Sequence, residues 1–129
     1  MTSDRLEKGK QKLREVLGET GEQLVTDLED ICPDLGRYVT EYGFADIYSR
    51  RGLDLRTREL AAVAALTALG HPRPQLKLHI NGALNVGCTR AEVVEVILQM
   101  TMYGGFPVAV NGMSAARDVF RERDDKGLT

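Results

Sequence analysis

Residues 75–107 read QLKLHINGALNVGCTRAEVVEVILQMTMYGGFP, and their reading decides the fold. Pro74, just ahead of the stretch, fits the first turn of a helix that carries Gln75 and His79 and ends near Gly87. Thr89-Arg90-Ala91-Glu92 has the spacing of a capping box, in which the hydroxyl takes the N3 amide and the glutamate reaches back to the cap amide. The next helix, Val93 to Tyr103, is interrupted only by Glu95, Gln99 and Thr101, so it is expected to be buried on most sides. Gly104-Gly105-Phe106-Pro107 then breaks it.

Working outward, the same helical period continues in both directions. A last amphipathic helix carries Val110, Met113, Ala116 and Phe120, and residues 124–129 are expected to fray. Upstream, Arg58 to Leu69 is rich in Ala and Leu and stops at Gly70, where a left-handed residue can close a helix. Leu35, Tyr38, Val39 and Tyr42 give the i, i+3, i+4, i+7 pattern. Leu6, Leu13, Val16 and Leu17 give another apolar stripe. Leu24, Val25, Leu28 and Ile31 predict a short helix stopped by Pro33, with Asp34 capping the next. No stretch alternates with the period of a strand. The expectation is an all-α single domain over 1–129 with about six to seven helices. Two largely apolar helices are many for one thin layer to cover, which predicts a homo-oligomer whose subunit contacts complete the burial.

Composition narrows the function. At 129 residues one core is expected. With 17 basic against 19 acidic side chains and a net charge of −2, the chain lacks the one-signed field that neutralises phosphates, so nucleic acid is not an expected partner. No apolar run approaches the roughly 20 residues that span a bilayer, and Met1-Thr2-Ser3-Asp4 leads into a charged helix, so a cytoplasmic protein without a membrane partner is expected. Cys32 and Cys88 form neither a redox pair nor a metal-spacing pattern. No metal site and no cofactor are implied.

The chemistry-bearing side chains fall in two places. Gln75 and His79 are four apart on one helix face. An imidazole exchanges a proton near neutrality, and a neighbouring amide can orient it or hold a substrate oxygen; the plain alternative is a histidine bonded to a buried carbonyl. His71, in a turn, is expected to be solvated. The second place is the span of Arg50, Arg51, Arg56 and Arg58, whose guanidinium groups could clamp a small carboxylate substrate, or pair with Asp46, Asp54 and Glu59. Phe44 and Tyr48 could wall a pocket or be core. Cys88 precedes a capped helix, where the dipole favours a thiolate, yet a buried inert cysteine is the commoner outcome.

Taken together, Phe44-Ala45-Asp46-Ile47-Tyr48-Ser49-Arg50-Arg51-Gly52-Leu53, Thr57-Arg58-Glu59-Leu60, Leu76-x-x-His79, Ala83, Gly87-Cys88-Thr89, Glu92, Glu95-Val96 and Tyr103-x-Gly105-x-Pro107 resemble the carboxymuconolactone decarboxylase family. The resemblance runs from about Leu6 to Phe120. It implies an all-helical, alkylhydroperoxidase D-like subunit assembled as trimers or hexamers. It also implies a cofactor-free decarboxylase acting on a small carboxylated lactone. On that footing His79 delivers a proton, Arg50 or Arg58 anchors a carboxylate, Gln75 and Tyr48 orient the substrate, and Phe44, Tyr103 and Gly105 line its approach. The chain departs from the namesake pattern at Phe44-Ala45, Tyr48, Arg51, Gln75 and Gly104, all expected pocket positions. In the peroxidase branch of the superfamily, cysteines stand where Gln75 and Pro72 are found, so that redox route is closed and only Cys88 remains as a redox candidate.

Overall fold

A computed structural model describes residues 3–129, and every described element is helical. In chain order these are α1 (Asp4–Asp27), α2 (Pro33–Tyr38), a π-helix (Val39–Ile47), α3 (Leu55–Leu69), α4 (Arg73–Asn85), α5 (Arg90–Gln99), α6 (Thr101–Gly104) and α7 (Phe106–Asp125). They gather into two compact units, one ending at Leu55 and the other spanning Arg56–Thr129. Among the described residues no helix is long and apolar enough to cross a membrane.

In the first unit, the Ser3 hydroxyl accepts the Leu6 amide at 3.1 Å and starts α1. Leu13, Val16 and Leu17 are buried along it, as the stripe predicts. The helix bends at Gly18, whose φ of 61° and ψ of −148° lie in a region essentially restricted to glycine. The segment beyond the bend runs only to Asp27, and Ile31 lies exposed past its end, which corrects the expected short helix. Asp34 is not the cap of α2. Cys32 holds that position because Pro33, with its fixed φ, takes the first helical place, and Asp34 instead accepts a bond from Arg37.

The expected stripe of Leu35, Tyr38 and Tyr42 is exposed, and the buried line is Gly36, Thr40, Glu41, Phe44 and Ala45. Two features turn the face. The α-helical turn widens into a π-helix, with the Tyr48 amide bonded to the Gly43 carbonyl five residues back at 2.9 Å. Close backbone approach then selects the small residues: a Cβ on Gly9 would fall 2.2 Å from the Thr40 carbonyl oxygen, so α1 and the π-helix cross there without an intervening side chain. Arg5 ties the crossing with paired bonds of 2.5 and 3.0 Å to Asp46 and one of 3.3 Å to Glu41. The hydrogen bond from Arg5 holds the Asp46 carboxyl below the usual carboxylate range.

In the second unit the local punctuation is as predicted. Gly70, Gly87 and Gly105 take positive φ at the ends of their helices. Pro74 stands in the first turn of α4. The Thr89 hydroxyl accepts the Glu92 amide at 3.0 Å while the Glu92 carboxylate accepts the Thr89 amide at 2.9 Å. Glu92 also accepts a 2.5 Å bond from Arg56, which joins the start of α3 to the start of α5. Arg56 and the Thr89 amide hold the Glu92 carboxyl below its ordinary value of 4.5. Since that value is lower in the folded chain than in the unfolded one, the contribution to stability is present above the ordinary glutamate range and is lost as pH falls through the lowered folded value. Glu92→Gln is therefore expected to flatten the loss of stability as pH falls below the ordinary glutamate value, read as urea midpoints at each pH. An unchanged pH slope would contradict this.

Val63, Leu76, Ile80, Ala83, Val93, Ile97, Ala109, Ala115, Ala116 and Val119 form the core of this unit. The helix expected from Val93 to Tyr103 is instead divided at Met100, and only Val93, Ile97 and Met100 are buried on it, while Leu98, Met102 and Tyr103 face solvent. Burial on most sides is thus corrected to burial on one. Val110 is likewise exposed, and α7 packs through Ala109, Gly112, Ala115, Ala116 and Val119. Gly112 turns that face inward, since a Cβ there would lie 2.9 Å from methyl groups of Ile97 and Thr67. The tail expected to fray is tied back: buried Arg123 donates to the Thr129 carbonyl at 3.1 Å, and Arg90 to the Leu128 carbonyl at 3.3 Å.

Candidate active site

Helix α4 exists because Pro74 presets its first turn and Leu76, Ile80, Ala83 and Leu84 give it a buried face. His79 lies beside that face, with 19% of its side chain accessible. On α3, Glu59, Val63 and Thr67 are the buried residues, four apart, so a carboxylate stands on an otherwise sealed line with 0% exposure. A buried charge needs a partner. The two oxygens of Glu59 lie 3.0 and 3.2 Å from Nδ1 of His79, and this is the sole partner of that carboxylate among the described residues.

The geometry has a chemical consequence. An ionised carboxylate has no hydrogen to give; opposite Glu59 in that form, Nδ1 carries the hydrogen and donates, which leaves Nε2 for another task. The ring is fixed from behind by a group that water does not reach. Such a carboxylate-imidazole pair can move a proton at Nε2 without the ring turning.

Glu59 is the candidate site residue that sequence reasoning missed. It was weighed there as a partner for nearby arginines, as was Asp46. Both expectations are corrected: Asp46 takes Arg5, and Glu59 takes the histidine twenty residues away. The available signal was its register with Val63 and Thr67, which puts an acid on a buried stripe.

The other candidates are distributed as follows. Gln75 is exposed one turn before His79, and no hydrogen bond joins it to the ring among the described residues. Arg58 is partly buried on α3, next in sequence to Glu59. Tyr103 is exposed on α6, and Gly105, at φ 96°, makes the turn into α7. Cys88 is buried in the core, its thiol 3.6 Å from the Arg56 carbonyl. In the first unit Phe44 is buried and its ring packs on that of half-buried Tyr48, with centroids 4.9 Å apart and planes tilted by 42°. Arg50 is exposed, its amide bonded to the Ile47 carbonyl at 3.1 Å. His71 is exposed. Among the described residues no three His, Cys, Asp or Glu side chains gather as a metal cluster would require.

An all-helical chain with a histidine backed by a sealed carboxylate defines a class that sequence comparison makes specific. A family model described as the carboxymuconolactone decarboxylase family matches residues 33–118. The chain belongs to the carboxymuconolactone decarboxylase family. It is 32% identical over 119 residues to the 4-carboxymuconolactone decarboxylase of Acinetobacter baylyi, covering 92% of this chain and 88% of that protein. It is 34% identical over 100 residues to an uncharacterized 15.0 kDa protein from the nqo9-nqo10 intergenic region of Paracoccus denitrificans, covering 77% and 75% of the two chains. To the nitrosuccinic acid decarboxylase npaB of Metarhizium robertsii it is 30% identical over 90 residues, covering 69% and 62%.

Proposed function

We propose that this protein is a cofactor-free, cytoplasmic carboxy-lyase acting on a small carboxylated lactone, of the 4-carboxymuconolactone decarboxylase type. The observation that carries the reading is the His79–Glu59 pair, an oriented proton donor on a family scaffold whose relatives include decarboxylases. The family match runs across both compact units, which supports reading the whole chain as one such domain.

In a lactone whose carboxylate is conjugated through an alkene to the ring carbonyl, the substrate is its own electron sink. The bond to the carboxyl carbon breaks, CO2 departs, and the electron pair moves through the alkene to the carbonyl oxygen as a dienolate. One proton, delivered from Nε2 of protonated His79 to carbon, completes the product. Glu59 stabilises the imidazolium and keeps the ring aimed. Arg58 is the choice within this unit for anchoring a retained carboxylate.

A second reading has its own support. The npaB relative is named for nitrosuccinic acid, in which a nitro group takes the electron pair, so the same donor serves a different activated acid. A redox role for Cys88 has less: the thiol is buried, and it predicts that Cys88→Ser abolishes hydroperoxide consumption.

The test is CO2 release from each acid by the purified protein. Turnover of 4-carboxymuconolactone is expected; turnover of nitrosuccinic acid alone would transfer the assignment to the second reading, and turnover of neither would remove both substrates and leave a related lyase or isomerase with a different one. Glu59→Gln is expected to slow the productive reaction on the order of 10²-fold, because an amide can turn its NH2 to Nδ1 and put the ring hydrogen on the wrong nitrogen. An unchanged thermal midpoint would separate this from unfolding.

A further inference from the structure

Residues 73, 77, 81 and 85, four apart on α4, bond to α7 along one seam. Arg73 donates to Asp118 at 2.5 Å and Lys77 to Glu122 at 2.8 Å, so at two successive positions a cation of α4 meets an acid of α7. One turn further the polarity reverses. The cation is now Arg123 of α7, and α4 presents Asn81 and Asn85, whose amide oxygens accept from its Nη1 at 2.6 and 2.9 Å. An aspartate at either position would have the same shape and would neutralise it. The Nε hydrogen goes to the Thr129 main-chain oxygen at 3.1 Å. Among the described residues no Asp or Glu side chain pairs with this guanidinium, although Arg123 is only 6% exposed.

Burying a cation against neutral partners is costly, and the fold sets a second cation beside it. The Arg90 guanidinium lies 5.1 Å from the centre of the Phe120 ring and donates to Asp124 at 2.8 Å and to the Leu128 main-chain oxygen at 3.3 Å. Burial first, and then the charge of Arg90, hold the Arg123 pKa below the ordinary arginine value. Two guanidinium groups thus share one carboxylate. The carbonyl ends of α4 and α7 favour a cation here, but they supply partial charge only. A whole negative charge is missing.

The tail marks where the oxygens of such a charge would lie. Past the left-handed turn at Gly127, φ 70°, exposed Leu128 and Thr129 lay one main-chain oxygen on each arginine. Thr129 and Arg90 also line a cavity of about 370 Å³ with Leu84, Gly87, Cys88 and Thr89, a volume suited to a small ligand. Buried Leu84 and Cys88 make part of its wall apolar. An inorganic anion has no use for that wall. A carboxylate on an apolar body suits both parts, since its two oxygens match the guanidinium fork.

We propose that Arg123 and Arg90 form a binding site for a small organic carboxylate, which the 127–129 tail covers as a strap in the present conformation. The ligand's oxygens replace those of Leu128 and Thr129, and its apolar body enters the cavity against Leu84. The site uses neither His79 nor Glu59 and stands whether or not the chemistry assigned to them does.

Calorimetric titration with benzoate, and with inorganic phosphate beside it, is the test. Gly127→Val disfavours the left-handed turn and releases the strap, so benzoate is expected to bind this variant once per chain and at least about 10-fold more tightly than the wild type. Adding Asn81→Asp supplies the missing acid, which is expected to weaken benzoate at least about 10-fold while the thermal midpoint is kept or raised. Arg123→Met in the same background is expected to weaken it likewise, with helical circular dichroism retained. No binding by Gly127→Val overturns the proposal, as does equal affinity in that variant and the wild type. Binding that Asn81→Asp leaves unchanged overturns it by assigning the carboxylate to another site. Phosphate bound as tightly as benzoate overturns it in favour of an inorganic-anion site. Should Arg123→Met fail to fold, Asn81→Asp, which adds a partner rather than removing one, decides alone.

Discussion

Replacing His79 by alanine is expected to lower the rate of CO2 release by about 10²- to 10⁴-fold, the usual share of a positioned general acid. The ring is partly accessible and stands at the edge of the α4 core face rather than in its centre, so the fold should survive its loss. Glu59 is the complication. In His79→Ala its carboxylate keeps 0% exposure and loses the one partner it has among the described residues, which is destabilising in itself. The double variant His79→Ala, Glu59→Gln therefore isolates chemistry from folding: it should be as slow as His79→Ala and more stable. A single variant with wild-type turnover would strip His79 of its role. A slow reaction restored by the double variant would show that the defect was structural.

The second large effect concerns the first unit. Gly9→Ala is expected to lower stability by about 1–3 kcal/mol, because the new methyl would meet the Thr40 carbonyl at 2.2 Å, a contact with backbone that no side-chain rotation relieves. Gly43→Ala is the matched control: no atom comes within 4 Å of its Cβ, and that exchange is expected to be neutral or to stabilise by up to about 1 kcal/mol. Urea midpoints compare the two. Equal effects would mean that the crossing of α1 and the π-helix is looser than its geometry states.

These variants separate what was legible in the sequence from what was not. Gly70, Pro74, the Thr89–Glu92 box and Gly105 act on their own backbone within a few residues, so the ends of α3, α4, α5 and α7 could be read directly. The inward face of α2 and the π-helix could not. Leu35, Tyr38 and Tyr42 are the larger apolar residues, yet Gly36 and Thr40 are buried because a partner helix, thirty residues upstream, presents Gly9. Gly18 was invisible for the opposite reason: a glycine in a helical pattern is ordinarily tolerated, and nothing nearby marks this one as a bend. In the candidate site the histidine could be found by its type alone. The residue that aims it could not, since twenty positions separate Glu59 from His79 and only the packing of α3 on α4 joins them.

The π-helix from Val39 to Ile47 holds one residue more per turn than the α-helices on which the rest of the chain is built. Shortening most helices by a residue turns every later side chain out of register. Here the same loss would let the segment relax to ordinary α geometry. Among natural versions of this protein, single-residue differences in length are accordingly expected to collect between positions 39 and 47, where evolution can remove a residue with the least disturbance.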